Sequence, residues 1–461
     1  MTATAERLVP EARVRTPARD RTFDRAWIVT VVVVANLVVT VGLWLRHGQQ
    51  HALGDAGGIA TAAGQLTGLV GTYLVLVQLL LMARLPWVER HVGFDRLAIW
   101  HRWNGFASIT LLMAHTALIT VGYAQANGVA LVDQTRDFVS HFADVLMAFV
   151  GLGLLLAVSI TSVKMARRRL RRETWYFVHL YAYLGVALGF AHQLAVGSDF
   201  SDDAAARYWW VSLYVLVFGS ILLWRVAAPL RFNARHRLRV STVKEEVPGV
   251  TSISITGQHL DRIDAQAGQF FLWRFLDRDG WWQAHPFSLS ARPTPNRLRI
   301  TVKQLGDRTR RLQHVRPGTR VFAEGPYGAF TADRRTRRRV VMIAGGIGIT
   351  PLRALLEAMP GQPGELTLLY RVVSDRDVIF ERELADLGKT RGVTVHLITG
   401  DEIGDDETDK LGVPALTALV PDVAEAECYV CGPAGLTDAV RRRLRRIGVP
   451  RRRIHFERFA Y

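Results

Sequence analysis

The chain has 461 residues, enough for about three domains at roughly 150 residues each. With 49% hydrophobic and 21% charged residues and a mean hydropathy of +0.12, it is too apolar to be wholly soluble and too charged to lie wholly in a bilayer, so a membrane portion joined to a soluble one fits both numbers. Its two cysteines, Cys428 and Cys431, exclude a disulfide framework and a four-thiolate iron–sulfur cluster, while 58 Lys and Arg against 41 Asp and Glu raise nucleic acid as a partner until their positions are considered.

Apolar runs long enough to cross a bilayer occur at 26–45, 62–83, 103–123, 142–163, 175–196 and 208–228, which predicts six membrane helices. The first follows the hydrophilic segment 1–25 and lacks a small-residue cleavage site, so it reads as a retained anchor. Cations crowd the segment before the first run, from Arg7 to Arg25, and those after the second (Arg84, Arg90, Arg96), the fourth (Lys164, Arg167, Arg168, Arg169, Arg171, Arg172) and the sixth (Arg231, Arg235, Arg237, Arg239). The other connections hold few, and the one after the fifth run carries Asp199, Asp202 and Asp203. The positive-inside rule then puts both termini in the cytoplasm of a multi-pass plasma-membrane protein. The net charge of +17 is thereby assigned to topology and contact with anionic lipid, and nucleic acid drops out as a partner.

After Arg239 the texture changes. Short alternating runs at 238–243, 252–256, 270–275, 298–303 and 320–324, separated by Gly, Pro and Asn or Asp turns, predict a small antiparallel β-barrel. From 336 onward, apolar strands at 340–344, 366–370, 394–398 and 427–430 alternate with helical stretches, the pattern of a parallel α/β sheet with crossover helices. The expected division is a cytoplasmic segment 1–25, an all-α membrane bundle 26–230, a barrel 231–335 and an α/β domain 336–461.

An ionisable side chain inside a bilayer is costly and points to function. Six histidines lie between 90 and 192, and four of them form matched positions: His101 and His115 on the third predicted helix, His179 and His192 on the fifth. His101 and His115 are 14 residues apart, about 21 Å along a helix and within about 40° of one face. Two facing helices would offer two His–His pairs at two depths, the axial donor sets of two stacked haems, with His101 and His179 on the cytoplasmic one and His115 and His192 on the outer one. His179 and His192 are only 13 apart, about 140° out of phase, so the fifth helix is expected to tighten or kink near Gly185 and Gly189. His91 and His141 have no partner spacing and read as ordinary polar contacts.

In the soluble half, Gly345, Gly346, Gly348, Thr350 and Pro351 fall in a turn that follows the strand 340–344 and leads into a helix. Such a turn lets the backbone approach a pyrophosphate, whose charge a helix N-terminus stabilises. Cys431, Gly432 and Pro433 follow another buried strand, where a parallel sheet presents ligands. Cations after the strand ending at Tyr370, namely Arg371 and Arg376, could bind a 2′-phosphate, which favours NADPH over NADH. In the barrel, His285, Pro286, Phe287 and Ser288 open a strand, and Gly306, Asp307, Arg308 and Thr309 follow one that ends at Lys303.

These elements, in this order, resemble the ferric reductase and NADPH oxidase family, in which a six-helix haem domain is fused to a flavin and nicotinamide module like that of ferredoxin–NADP reductase. The resemblance covers about residues 20 to 461 and rests on the paired histidines and on the ordered HPFS, GDRT, EGPYG, GGIGITP and CGP motifs. It implies two haem b groups on His101, His115, His179 and His192. It also implies FAD held by His285, Pro286, Phe287 and Ser288, with Ser288 near the flavin ring, and by Lys303, Gly306, Arg308 and Thr309 around the pyrophosphate. The glycine turn would bind NADPH or NADH, with Cys431, Gly432 and Pro433 beside the nicotinamide. The ending HFERFAY is similar to the family's, where an aromatic covers the flavin; Phe459 is the expected one, with Tyr461 second.

Electron counting gives the order of cofactors. NAD(P)H delivers two electrons together, haem takes one at a time, and a flavin does both, so the flavin stands between them. With His at both axial positions the acceptor, dioxygen or a ferric chelate, takes its electron past the haem edge. Superoxide-producing animal members carry a further His four residues after the outer ligand on the third helix; here that position is Ile119, a departure that weakens the oxidase reading. The alternative from another class, a transporter or proton channel with a histidine relay and no haem, predicts charged residues at broken mid-membrane helices.

Overall fold

The computed structural model describes residues 26–46, 54–163, 172–196, 203–278, 280–400, 404 and 406–459. The segment 1–25, the basic stretch 164–171, Asp199, Asp202 and Tyr461, all used in the sequence reading, lie outside the described residues. The chain divides into two compact units, one within Phe23–Ala228 and the other within Pro229–Tyr461.

The first unit is helical: α1 (Ala26–Arg46), α2 (Ala56–Leu81), α3 (Pro86–Val92), α4 (Phe94–Asn127), α5 (Leu131–His141), α6 (Val145–Ser162), α7 (Arg172–Val196) and α8 (Ala204–Ile221), with one π-helical segment after it, Leu222–Ala227. Asp55 caps α2 by accepting from the Gly58 amide, and Asp203 caps α8 through the amides of Ala205 and Ala206. Val31, Val32 and Val38 of α1 and Val215 and Leu216 of α8 are half exposed or more, an outward apolar surface suited to lipid. Among the described residues five stretches are long and apolar enough to cross a membrane: Trp27–Arg46, Ala56–Leu81, Arg96–Asn127, Val145–Ser162 and Ala204–His236. The expected count of six is therefore not reached by that measure. The fifth predicted run does form a 25-residue helix, α7, but Trp175, Tyr176, His179, Tyr181, Tyr183 and Gln193 make it less apolar than the others.

Two close helix pairs build this unit, α2 along α4 and α6 along α7. At the second crossing a Cβ on Gly151 would come within 2.6 Å of the Gly185 carbonyl oxygen, and one on Gly185 within 2.9 Å of that of Gly151, so only glycine at both positions allows the approach. The last helical stretch does not stop at 228: α9 (Ala228–His236) continues it across the expected boundary at 230.

The second unit begins with six antiparallel strands: β1 (Arg239–Val247), β2 (Val250–Thr256), β3 (Phe270–Phe275), β4 (His285–Ser288), β5 (Leu298–Lys303) and β6 (Val321–Tyr327). They form two sheets, β1-β2-β5 and β4-β3-β6, linked by bridges between Arg239 and Arg320 and between Leu289 and Ile300, which gives the barrel-like form. Alternation in each strand turns Val240, Ile253, Ile255, Phe271, Trp273 and Ile300 into one apolar core. A short helix, α10 (Asp307–Leu312), follows β5.

Five parallel strands complete the unit in the order β11-β10-β7-β8-β9: β7 (Val340–Gly345), β8 (Leu366–Val372), β9 (Thr394–Thr399), β10 (Glu427–Pro433) and β11 (Ile454–Phe459). The helices α11 (Ile349–Ala358), α12 (Glu381–Arg391), α13 (Val413–Leu419) and α14 (Ala434–Arg446) accompany them. Because β7 has β8 on one side and β10 on the other, the strand order reverses there, and the crevice at the C-terminal ends of β7 and β10 is where such a sheet binds ligands.

Candidate functional site

In the helical unit, α2 and α6 hold three of the four predicted histidines by their Nδ1 atoms. His101 Nδ1 lies 3.2 Å from the Gln78 carbonyl oxygen, and His115 Nδ1 lies 2.8 Å from that of Gly64. A carbonyl only accepts, so each Nδ1 donates and each Nε2 keeps its lone pair. His179 Nδ1 lies 3.3 Å from Ser162 Oγ. That hydroxyl gives its hydrogen to the Val158 carbonyl at 2.7 Å and accepts from Trp175 Nε1 at 3.2 Å, so it accepts from His179 as well. All three rings are thus set in the tautomer of a metal-bound imidazole, whose second nitrogen donates to a fixed acceptor. His192 Nδ1 is buried without a hydrogen-bond partner.

The His101 and His179 rings have centroids 6.1 Å apart and planes inclined by 53°. Two imidazoles that share one metal at about 2 Å each have centroids about 6 Å apart. His115 and His192 instead border one cavity of about 230 Å³, with Thr72, Leu112, Tyr123 and Phe138 in its walls. Among the described residues no group of three or more His, Cys, Asp or Glu could hold a bare metal ion. A donor set of two paired imidazole couples suits iron already held by a macrocycle, and the residues fit haem on that count.

One expectation changes here. Of the tightening or kink expected between His179 and His192, the tighter turn is absent, because α7 is α-helical from Arg172 to Val196, and Gly185 packs against Gly151 of α6. The sequence reading also missed α5, whose Phe138 packs edge-on against Tyr123 and Phe142, with centroids 5.2 and 5.0 Å away, to close that cavity. The charges of Asp133, Arg136 and Asp137 hid its apolar face, which repeats too few times to read as a helix.

In the barrel, β4 carries the whole HPFS motif. Pairing with β3 sets Phe271 opposite Phe287 and Phe270 opposite Ser288, and Trp273 Nε1 donates to the Phe287 carbonyl at 3.0 Å. His285 and Phe287 share a face of the strand, with rings parallel to within 3° and 5.7 Å apart; Pro286 is exposed and Ser288 is buried. Lys303 ends β5 in the open. Thr309 Oγ1 accepts from the amides of Leu305 at 2.8 Å and Gly306 at 3.2 Å, so its hydroxyl closes the turn before α10. The Arg308 side chain lies outside the described residues.

In the parallel sheet the two nucleotide motifs meet. Cys431 pairs with Ala344, and a Cβ on Gly348 would fall 2.2 Å from the Cys431 carbonyl oxygen. Gly346 has φ +52° with open space where a side chain would stand, the conformation and clearance a backbone needs to meet a phosphate. Thr350 Oγ1 donates to the Ile347 carbonyl at 3.0 Å, and Thr350 and Pro351 are buried at the start of α11. Register pairs Gly432 with Arg458 and Pro433 with Phe459, which brings the partly buried Phe459 beside the CGP motif.

Burial pushes the Cys431 thiol well above its ordinary range, so it stays protonated, and with the residue fully buried it is the strand's backbone that borders the turn. Cys428 is likewise pushed up to about 12 by burial. Arg371 is corrected: its guanidinium is buried, donating to Asp409 at 3.1 Å and to the Gly400 carbonyl at 3.0 Å, which removes it from the phosphate-binding set. Arg376 is exposed on the turn after β8.

Comparison with known proteins matches three parts of the chain to families. Residues 67–190 match the ferric reductase like transmembrane component, 233–331 a FAD-binding domain and 342–442 an oxidoreductase NAD-binding domain. The glycine betaine monooxygenase reductase subunit of Chromohalobacter salexigens is 28% identical over 240 residues, 50% of this chain and 65% of that protein. The flavohemoprotein of Vibrio cholerae is 30% identical over 208 residues, 43% of this chain and 52% of that protein. The ferredoxin reductase component of the 3-ketosteroid-9-alpha-monooxygenase of Mycolicibacterium smegmatis is 32% identical over 239 residues, 48% of this chain and 65% of that protein. The chain spans between about half and two thirds of the length of these relatives. The chain therefore joins a ferric reductase like transmembrane region to FAD- and NAD-binding domains, an architecture that leaves the transporter reading without support.

Proposed function

From the domain architecture of the ferric reductase and NADPH oxidase family, to which this chain belongs, we propose that it carries electrons from cytoplasmic NAD(P)H through FAD and two bis-histidine haems to an acceptor on the far side of the plasma membrane. The observation that carries the haem assignment is the pinned Nδ1 hydrogen of His101, His115 and His179, together with the 6.1 Å approach of the inner pair. When bound, FAD takes electrons two at a time and passes them singly, and haem iron carries them one at a time.

The chain's own residues then divide the work. His101 with His179, and His115 with His192, would hold the two haem irons, and Gln78, Ser162 and Gly64 orient the rings of His101, His179 and His115 for that task. His285, Pro286, Phe287 and Ser288 hold the flavin, Lys303, Gly306, Arg308 and Thr309 its pyrophosphate, and Gly345, Gly346, Gly348, Thr350 and Pro351 the dinucleotide. Cys431, Gly432 and Pro433 would lie at the nicotinamide, Phe459 would cover the flavin, and Arg376 would select NADPH. Dioxygen, reduced to superoxide, is the proposed acceptor, which would take its electron past the edge of the haem that His115 and His192 would hold. A ferric chelate is the second reading, since Ile119 in the cavity wall, where superoxide-producing animal members carry a histidine, weakens the dioxygen reading without establishing the chelate.

The test is the visible spectrum of the detergent-purified protein, kept anaerobic and mixed with NADPH in the presence of FAD. Low-spin haem bands in their reduced form support the path, and absence of haem overturns it. Admission of air with cytochrome c then separates the acceptors, since superoxide formation makes cytochrome c reduction sensitive to superoxide dismutase and a dedicated chelate reductase does not.

A further inference from the structure

We propose that Arg299, Glu383 and Arg353 form a positioning cluster that sets the spacing of flavin and nicotinamide when both are bound; the inference rests on the flavin and nicotinamide assignments above. Arg299 stands on β5, within the matched FAD-binding region, and is 7% exposed. Its guanidinium spans Glu383 with NH1 at 2.7 Å from Oε1 and NH2 at 2.9 Å from Oε2, and lies over the Phe380 ring at 4.9 Å. Glu383 belongs to the first turn of α12 in the NAD-binding region, so this bidentate pair joins the two matched regions.

A second guanidinium shares the same carboxylate. Arg353 Nε lies 2.6 Å from Glu383 Oε2, and Arg353 NH1 reaches Glu357 at 2.5 Å. Glu357 in turn accepts from the Arg292 amide at 2.7 Å. Both arginines also converge on one barrel residue, Ser290, which is fully buried: Arg299 donates to its carbonyl at 2.8 Å and to its hydroxyl at 3.2 Å, and Arg353 donates to its carbonyl at 3.3 Å. Burial by itself raises the Glu383 carboxyl, but the hydrogen bond from Arg299 and the charges of Arg299 and Arg353 outweigh it and hold the group below its ordinary range, so the cluster stays charged at neutral pH.

The placement in the chain gives the cluster its role. Ser290 lies two residues past Ser288 of the HPFS motif, and Arg353 two residues past Pro351 of the glycine turn. The strand end that would hold the flavin and the helix start that would hold the dinucleotide are therefore tied through the same three side chains. A planar guanidinium fork fixes its carboxylate in distance and angle, whereas an apolar contact tolerates sliding. A misplacement of about 1 Å between reacting groups can lower a rate about a hundredfold.

Rapid mixing of the anaerobic, FAD-loaded full chain with increasing NADPH tests the role. Glu383→Gln is expected to lower the limiting rate of flavin reduction about tenfold to a hundredfold, with half-saturating NADPH, FAD content and reduction by dithionite as in the wild type. Arg299→Lys, which keeps the charge and loses the fork, is expected to fall between them and serves where Glu383→Gln does not fold. A wild-type limiting rate in the variants overturns the inference, as does a slower rate that follows loss of FAD or a lower melting temperature. A wild-type protein whose bound flavin neither NADPH nor NADH reduces overturns the donor assignment itself, and the inference with it.

Discussion

Replacing Gly68 by alanine probes the role of His115, because the three atoms nearest the new methyl group all belong to its ring. Its Cβ would stand 2.5 Å from His115 Nδ1, 2.9 Å from Cε1 and 3.0 Å from Cγ. Ordinary carbon contacts need about 3.5 Å, so the ring must retreat by about 1 Å. The Nδ1 hydrogen bond to the Gly64 carbonyl, 2.8 Å long, would then stretch beyond the range in which such a bond counts. Loss of an outer hydrogen bond on a ligating histidine lowers metal affinity about tenfold to a hundredfold, which is about 1.4–2.7 kcal/mol. The assay is haem per chain in the purified protein, titrated with limiting haem: Gly68→Ala should bind one haem with wild-type affinity and the other weakly. Gly153→Ala on α6, where a Cβ meets nothing within 4 Å, is the control and should hold both. Two tightly held haems in Gly68→Ala would refute the assignment of His115 as a ligand.

Other substitutions probe separate parts of the site. Ser162→Ala removes the acceptor of His179 Nδ1 and of Trp175 Nε1, so one haem should titrate at a higher midpoint potential in spectroelectrochemistry while the other stays in place, because a less polarised imidazole donates less charge to iron. Arg376→Ala should cut the preference for NADPH over NADH about tenfold in steady-state turnover, the value of one charge-assisted hydrogen bond. Arg371→Ala should leave that preference alone and lower the thermal stability of the soluble unit by about 1–3 kcal/mol, since Asp409 loses one of its two guanidinium partners inside the protein.

The elements that read clearly from sequence are those with a strong local period or a strict backbone requirement. Strands β7, β8, β9 and β10 are short apolar runs ending in turns, and the glycine turn after β7 stands where the reading put it because Gly346 and Gly348 tolerate no ordinary side chain there. Strand β11 did not stand out, since the adjacent charges of Glu457 and Arg458 break the apolar alternation of Ile454–Phe459 at a partly exposed edge. The partners of the histidines were invisible for another reason. Gly64 and Gln78 act through main-chain carbonyls, which every residue has, so only the packing of α2 on α4 singles them out. The role of Arg371 was misjudged because a cation at a strand end looks the same in sequence whether it faces a phosphate or a buried aspartate, and Asp409 lies 38 residues away.

The acid side of the stability profile should report on Glu427, which opens β10 fully buried at the end of the sheet away from the nucleotide crevice. One carboxylate oxygen accepts from the Thr336 amide at 2.9 Å and its hydroxyl at 2.7 Å, and the other lies 2.6 Å from His455 Nε2 on β11. Burial raises the carboxyl, but the hydrogen bonds from His455 and Thr336 overcome it, and the group ends below its ordinary value. A depressed carboxyl is ionised in the folded chain where the unfolded chain, with a pKa of about 4.3, still binds a proton. Its contribution is therefore complete above the unfolded value and is lost as pH falls through the folded one. Melting of the soluble unit in the detergent-purified chain, followed by release of flavin fluorescence, should show Glu427→Gln less stable than wild type at pH 7, with the gap closing below about pH 4. A gap that stays constant down to pH 3 would mean that shape, and not the charge held by His455 and Thr336, ties β10 to β11 at this end of the sheet.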